Sequence, residues 1–361
     1  MNSRIPALWS LLASLWLAAG PIACRREPSP EPAFPPEVAA SDAPALLTFQ
    51  EAHMGTQFTI RVWAEPSQTE AAKAAVTDAF ARIASLERVF SDYQVDSEIV
   101  KLAAQGPNQA IPISGDLFAV LTRAQNLSRD TNGAFDITVG PMVRLWRQAR
   151  KDHRLPTPER VAQARERTGW QKLEIDRETP AVTLKAEFMQ LDFGGIVKGY
   201  SADEALKILK QRGFPRALVA GSGDIVLGDP PPDKDAWRVG IRSLDVEHAP
   251  SPAELTGTVP LTHAAISTSG DTEQSVTIDG IRYSHIVDPQ TALGLVHRIA
   301  ATVIGPDATT TDSYATTVCV LGREKGLAFI ESKPGVECLI LEADESGTIT
   351  ETRSSGFPTT H

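Results

Sequence analysis

Hydrophobic and polar positions alternate from Thr56 to Trp63, with Phe58, Ile60 and Val62 on one side, which predicts a half-buried strand. The period then changes. From Thr69 to Phe90, Ala72, Val76, Ala79, Phe80, Ile83, Leu86 and Phe90 recur three and four apart, predicting a long amphipathic helix. A second helix is expected after Ser114, a suitable N-cap, with Leu117, Leu121, Ala124 and Leu127 as its apolar stripe. Thr157 to Arg167 reads as a short polar helix, Val182 to Phe193 as a strand region, and Tyr200 to Arg212 as a helix that Gly213 stops. Ala217 to Leu227 reads as strand, glycine turn, strand, and Trp237 to Arg242 as a further strand. Asp279-Gly280 between two β-rich arms, residues 275 to 285, is a hairpin signal. A strand from Ile299 to Ile304, a helix from Thr311 to Leu321 ended by Gly322, and a last strand from Glu337 to Leu341 follow. Strands and helices are interspersed irregularly and no repeat is present. The expected class is therefore α+β, with mixed, mainly antiparallel sheets and packed helices.

The chain outside this pattern is of two kinds. Arg4 precedes a mostly apolar run from Ile5 to Ala23, a basic start and apolar core that read as a secretory leader. Cys24 directly follows Ile22-Ala23, as in a bacterial lipobox, although Pro21 fits that pattern poorly. An uncleaved anchor and ordinary secretion are the alternatives, and each puts the body outside the cytoplasm. Residues 25–45, with prolines at 28, 30, 32, 35, 36 and 44, read as an extended tether. The body is expected over 46–350 and a polar tail over 351–361. With 42% hydrophobic residues the body can bury a large core, and a formal net charge of −10 argues against nucleic acid as a partner. An oxidising compartment would permit a Cys319–Cys338 disulfide, but both residues lie in apolar runs and are expected as buried thiols.

Candidate chemistry concentrates between Leu191 and Leu206. There an apolar run ends at Asp192, Gly194 and Gly195 follow, and Lys198 and Gly199 open a helix. Exposed backbone N–H groups and a mobile cation suit a phosphorylated ligand. The Walker A spacing is absent. Asp312 and Thr316, four apart on one expected helix, offer hard oxygen ligands for Mg²⁺ or Ca²⁺, or simply form a helix start. Phe135 and Asp136, bracketed by Gly133 and Pro141, could flank a purine and accept from its amine, or form a connection from helix to strand. Gly221-Ser-Gly-Asp224 and Thr268-Ser-Gly-Asp271 are two Gly-Asp turns. Val226 defeats a Rossmann fingerprint in the first. His285 and Asp288 end the hairpin's second arm and could do acid–base chemistry or hydrogen-bond structurally.

Six segments in order resemble one family, the FAD:protein FMN transferases of the ApbE type. They are Met54-Gly-Thr56, Tyr93 to Ile99, Gly133 to Pro141 (with Ile137 where the family has Pro), Leu191 to Tyr200, Tyr283 to Pro289, and Thr311 to Thr316. Asp271-Thr-Glu-Gln is a looser match to the family's Asp-Tyr-Glu-Arg. The resemblance implies a two-lobed body with FAD in the cleft between lobes. It implies cleavage of the FAD pyrophosphate, transfer of FMN to a Thr or Ser hydroxyl of a target protein, and release of AMP, with Mg²⁺ required. Metal ligation carries over to Asp312, Thr316 and the Gly195 carbonyl. FAD contacts carry over to Met54, Tyr93, Ala134, Phe135, Asp136, Asp192, Lys198, His285 and Ile286. His285 is the first candidate base and Asp288 the second. The acceptor would be a flavoprotein subunit of a redox complex. The enzyme would be a lipoprotein anchored through Cys24, facing the periplasm and most simply at the inner membrane. Hydrolysis of FAD to FMN and AMP, or flavin carriage without chemistry, are the competing functions.

Overall fold

The computed structural model describes residues 44–244, 255–271 and 274–360. The leader, Cys24 and the tether up to residue 43 lie outside them, as do Thr272 and Glu273 of the looser motif.

The alternation that begins at Thr56 becomes β2 (Thr56–Ala64), paired antiparallel with β1 (Ala45–His53). Phe58, Ile60 and Val62 are fully buried against α1 (Thr69–Phe90), whose bounds match the apolar stripe. A second region follows. It holds α2 (Glu98–Ala103), β3 (Ala110–Pro112) and α3 (Gly115–Asp130), where the Ser114 hydroxyl accepts from the Leu117 N–H as an N-cap should. Next come α4 (Gly140–Asp152), α5 (Pro158–Glu166), β4 (Leu173–Asp176) and β5 (Ala181–Leu184). Then α6 (Val197–Gln211) leads to β6 (Ala217–Gly221), β7 (Asp224–Leu227), β8 (Trp237–Arg242), β9 (Leu255–Leu261) and β10 (Ala265–Gly270). The hairpin β11 (Ser275–Ile278) and β12 (Ile281–Ser284) precedes β13 (Arg298–Gly305), α7 (Ala308–Glu331), β14 (Glu337–Ala343) and β15 (Ile349–Arg353).

Eight strands form the main sheet in the order β1-β2-β6-β7-β10-β13-β14-β15, every pair antiparallel. Its strands bury both faces. Ile299, Ala301, Val303, Cys338 and Ile340 pack on α7, whereas Ala300, Ile304, Leu339 and Leu341 pack under the β8–β9 hairpin. A second core joins the end of α1 to α2, α3 and the small sheet, and a third joins α4 and α5 to the β11–β12 hairpin. The mixed, mainly antiparallel α+β class expected from the pattern is the class observed.

Several local expectations are corrected. The strand region to Phe193 ends at Leu184, because Phe188 adopts φ 57°, outside extended backbone. Gly133 to Pro141 connects two helices, α3 and α4, rather than a helix and a strand. The helix expected from Thr311 starts a turn earlier, where Asp307 caps it and Asp203 accepts from the N–H groups of Ala308 and Thr309, each at 2.8 Å. Gly322 does not end α7 but breaks it, with φ 75° and ψ 174° between two helical halves. Residues 351–353, read as polar tail, pair with β14, and the Ser354 hydroxyl accepts from the Cys338 N–H inside the fold. Cys319 and Cys338 are buried free thiols, both pushed up to about 12 by burial. No helix among the described residues is long and apolar enough to cross a membrane.

The position that fixes the site is Gly199. A Cβ built there would stand 2.0 Å from the Ala308 carbonyl oxygen and 2.9 Å from the Asp312 Cβ, so α6 and α7 touch through backbone. Gly199→Ala is expected to cost about 2–3 kcal/mol through forced separation of the helices. Urea unfolding of the two proteins measures it.

Candidate active site

Three elements deliver charged groups to one point. Lys198 lies in the first turn of α6, Asp224 begins β7 after the Ser222-Gly223 turn, and Asp312 lies near the start of α7. The Lys198 ammonium sits 2.8 Å from Asp224 Oδ2 and 3.6 Å from Asp312 Oδ1, and donates to the Gly194 carbonyl at 3.3 Å. Asp312 Oδ2 accepts the Gly199 N–H at 3.0 Å. Asp312 is 1% exposed and Asp224 3% exposed, so neither charge is solvated. Burial alone would lower the lysine, but the two carboxylates outweigh it and hold the ammonium well above its ordinary range. Burial and the Asp224 charge push Asp312 up to about 7, against the pull of Lys198.

This trio forms part of the lining of a cleft of about 530 Å³, with Met54, Gly194, Arg242, Ser269, His285, Ile286 and Thr316 among the other lining residues. A Cβ at Gly195 would meet Thr316 Oγ1 at 3.0 Å, so the Gly195 backbone abuts the threonine that shares a face of α7 with Asp312. Thr316 Oγ1 lies 3.2 Å from Ser269 Oγ. The Asp312 carboxylate and the Thr316 hydroxyl, both lining the cleft, are hard oxygen donors of the kind a small divalent cation takes, with water completing its shell. Among the described residues no group of three or more His, Cys, Asp or Glu side chains forms a metal cage.

The other expected residues divide. Met54, His285 and Ile286 line the cleft. The Met54 N–H donates to Glu87 Oε1 at 2.8 Å. The His285 Nδ1 lies 3.2 Å from the Gln274 carbonyl. A carbonyl only accepts, so the neutral ring carries its proton on Nδ1 and its basic lone pair on Nε2. Tyr93 and Asp192 are not among the cleft's lining residues, and Asp192 is joined to the lining through Gly194. Asp192 Oδ1 accepts from the Gly194 N–H at 2.9 Å, and its Oδ2 pairs with Arg147 at 3.1 Å. Burial raises the Asp192 carboxyl, with Arg147 opposing. Arg147 also pairs with Asp92 and lies 4.7 Å over the Tyr93 ring, which is 76% exposed.

Ala134, Phe135, Asp136 and Asp288 are not among the cleft's lining residues. Phe135 is buried in the second core. Asp136 turns inward and accepts from the N–H and hydroxyl of Thr138 at 2.8 and 2.7 Å and from the Trp170 N–H at 2.9 Å, which fixes the loop. Asp288 accepts from the Gln290 N–H at 2.7 Å in the turn after β12. Sequence reasoning missed Asp224 as the principal partner of Lys198, gave no site role to Ser269, inside the second Gly-Asp turn, or to Arg242, at the end of a strand, and missed Arg147 entirely. For Asp224 the Gly-Asp turn was a visible signal. For Arg147 the signal was the unread stripe Met142, Leu145, Trp146 and Ala149, which predicts α4 and its opposite face.

The profile of the ApbE family matches residues 54–340. The chain belongs to the ApbE family. An FAD:protein FMN transferase of Klebsiella pneumoniae (strain 342) is 29% identical over 313 residues, covering 85% of this chain and 87% of that protein. One from Vibrio cholerae (O395) is 30% identical over 308 residues, covering 84% and 89%. The solved flavin transferase ApbE from Vibrio cholerae superposes with a TM-score of 0.76 at 28% identity, covering 87% of this chain and 98% of that one. The apo flavinyl transferase ApbE of Pseudomonas stutzeri gives 0.74 at 30% identity, covering 86% and 95%. Within this ApbE fold, then, the trio around Lys198 sits in a cleft of an enzyme family whose named members handle flavin.

Lys198→Met leaves two buried carboxyls facing each other. Asp312 then titrates still higher, and a raised carboxyl contributes stability that is present at low pH and lost as pH rises through its folded value. The variant is expected to lose about 3 kcal/mol against wild type at pH 8 and distinctly less at pH 5. Denaturant melts at the two pH values measure this, and equal losses would refute the coupling.

Proposed function

We propose that this protein transfers FMN from FAD to a Thr or Ser hydroxyl of a target flavoprotein and releases AMP, with Mg²⁺ as cofactor. The observation that carries the reading is the half-buried Lys198 held between the buried Asp224 and Asp312, beside Gly195 and Thr316, in a cleft large enough for part of a dinucleotide. The names of the relatives support it.

A pyrophosphate repels a nucleophile through its own negative oxygens, so the site must supply positive charge and alignment. Asp312, Thr316 and the Gly195 carbonyl would hold Mg²⁺, which supplies charge neutralisation to the pyrophosphate when bound. Lys198 sets an ammonium against the transferring phosphoryl, and Asp224 keeps that ammonium charged and aimed. The acceptor hydroxyl oxygen bonds to the FMN phosphorus as the bond from that phosphorus to the AMP oxygen breaks. His285 takes the hydroxyl proton at Nε2, and AMP departs as a phosphate monoester. Asp192, bonded to Gly194 and tied through Arg147 to Tyr93, would extend the FAD contacts beyond the cleft on that side. The N-terminal leader supports a lipid anchor on Cys24 and an acceptor in an extracytoplasmic redox complex.

Incubation with FAD, Mg²⁺ and a candidate acceptor protein is expected to give covalently flavinylated acceptor and one AMP per flavin, and chelation with EDTA to abolish both. Free FMN with AMP and no labelled acceptor would replace transfer by hydrolysis. His285→Ala is expected to slow transfer by about 10²–10⁴-fold, and a near-normal rate would remove the base from His285.

A further inference from the structure

Helix α4 presents Arg144, Arg147 and Arg150 three residues apart, on one side of the helix. Their surroundings differ. Arg144 donates to the Asp92 carbonyl at 3.4 Å. Arg147 is consumed by two carboxylates, Asp92 and Asp192, and by the Tyr93 ring. Arg150 has no carboxylate partner among the described residues, and its Nη2 reaches only the neutral Gln274 Oε1 at 3.4 Å. It is half-buried, and both that burial and the adjacent Arg147 charge lower it from its ordinary value. The fold thus places a cation that no carboxylate among the described residues pairs with.

Its location gives that placement a use. Gln274 lines the cleft. The Gln274 carbonyl also accepts the His285 backbone N–H at 2.9 Å and lies against His285 Nδ1. Arg150, itself not a lining residue, therefore reaches the cleft wall through the Gln274 side chain, and the Gln274 carbonyl lies against His285. Its guanidinium offers a rigid fork of N–H donors suited to two phosphate oxygens at once.

We propose that Arg150 is an anion-binding residue of the cleft that takes a phosphate group of the nucleotide, either within the dinucleotide substrate or on a mononucleotide product. The inference rests on the reading that FAD occupies this cleft. It adds a second cationic contact, separate from Lys198 and from the donors on α7.

The test is equilibrium binding to the full chain, with Arg150→Gln and Arg150→Lys beside wild type and FAD, FMN, AMP and riboflavin as probes. Arg150→Gln is expected to weaken FAD about 10-fold or more while riboflavin, which carries no phosphate, binds as before, and Arg150→Lys, which keeps the charge but not the fork, to recover only part of the affinity. Weakening of AMP but not FMN places the contact on the adenylate side, and the converse on the flavin phosphate. Unchanged FAD affinity overturns the proposal, as does an equal loss for riboflavin, which marks a structural defect. A rise confined to the acceptor protein's KM also overturns it, because the anion is then on the acceptor. Wild type that fails to bind FAD defeats the functional reading and this inference with it. Wild type that binds, with an Arg150→Gln that binds equally, defeats this inference alone.

Discussion

The buried contact of Lys198 with Asp224 and Asp312 governs the rest of the site. A lysine and two carboxyls meet there at 2.8 and 3.6 Å, with both carboxyls almost wholly shielded from water. Neither carboxylate could be kept there without the ammonium, and the ammonium could not be kept without them. Burial first, and the neighbouring Asp224 second, push the Asp312 carboxyl up to about 7, and a further cation beside it would favour its charged form. Structural cohesion and affinity for a charged ligand have the same electrostatic origin here.

That contact is assembled from three segments far apart in sequence, so its accuracy depends on how the segments are fixed. Antiparallel pairing sets β7 against β10 and β6 by main-chain bonds, which puts Asp224 at a strand start opposite Ser267. Asp203 and Asp307 satisfy the first N–H groups of α7, fixing the turn from which Asp312 projects. The hairpin bearing His285 is anchored from outside the sheet, where the Trp146 indole donates to the Ser284 carbonyl at 2.9 Å. Polar atoms at helix ends and loop edges thus do the aiming, while the apolar cores supply the rigidity.

What could be read from the chain follows from how local each determinant is. The long stripe of α1 and the Ser114 cap are written within a few turns, and the structure reproduces both. β1 has only Leu47 and Phe49 against the first core, so its pattern is too thin to see. β15 is polar because it closes an edge of the sheet, and polarity there resembles a tail. At the site, Lys198 and Asp312 were legible through the motifs around them. Asp224 was visible only as a turn, because its meaning comes from a lysine on another element. Asp136 shows the opposite case: an acid between glycines looks available in the sequence, and three protein donors hold it in the fold. Pairwise encounters between remote segments are the part that no single stretch records.

The direct meeting of main chains at Gly199 and Ala308 bears on inheritance. A spacing set by side chains drifts whenever those side chains change, because each replacement must be accommodated by a shift of the helices. A spacing set by a carbonyl against a bare Cα depends on one glycine and on main-chain atoms, so sequence turnover elsewhere passes it by. A chain can then replace most of its side chains and still bring a lysine on one helix to an aspartate on the next. The retention of a TM-score of 0.76 at 28% identity is the kind of divergence such an arrangement tolerates.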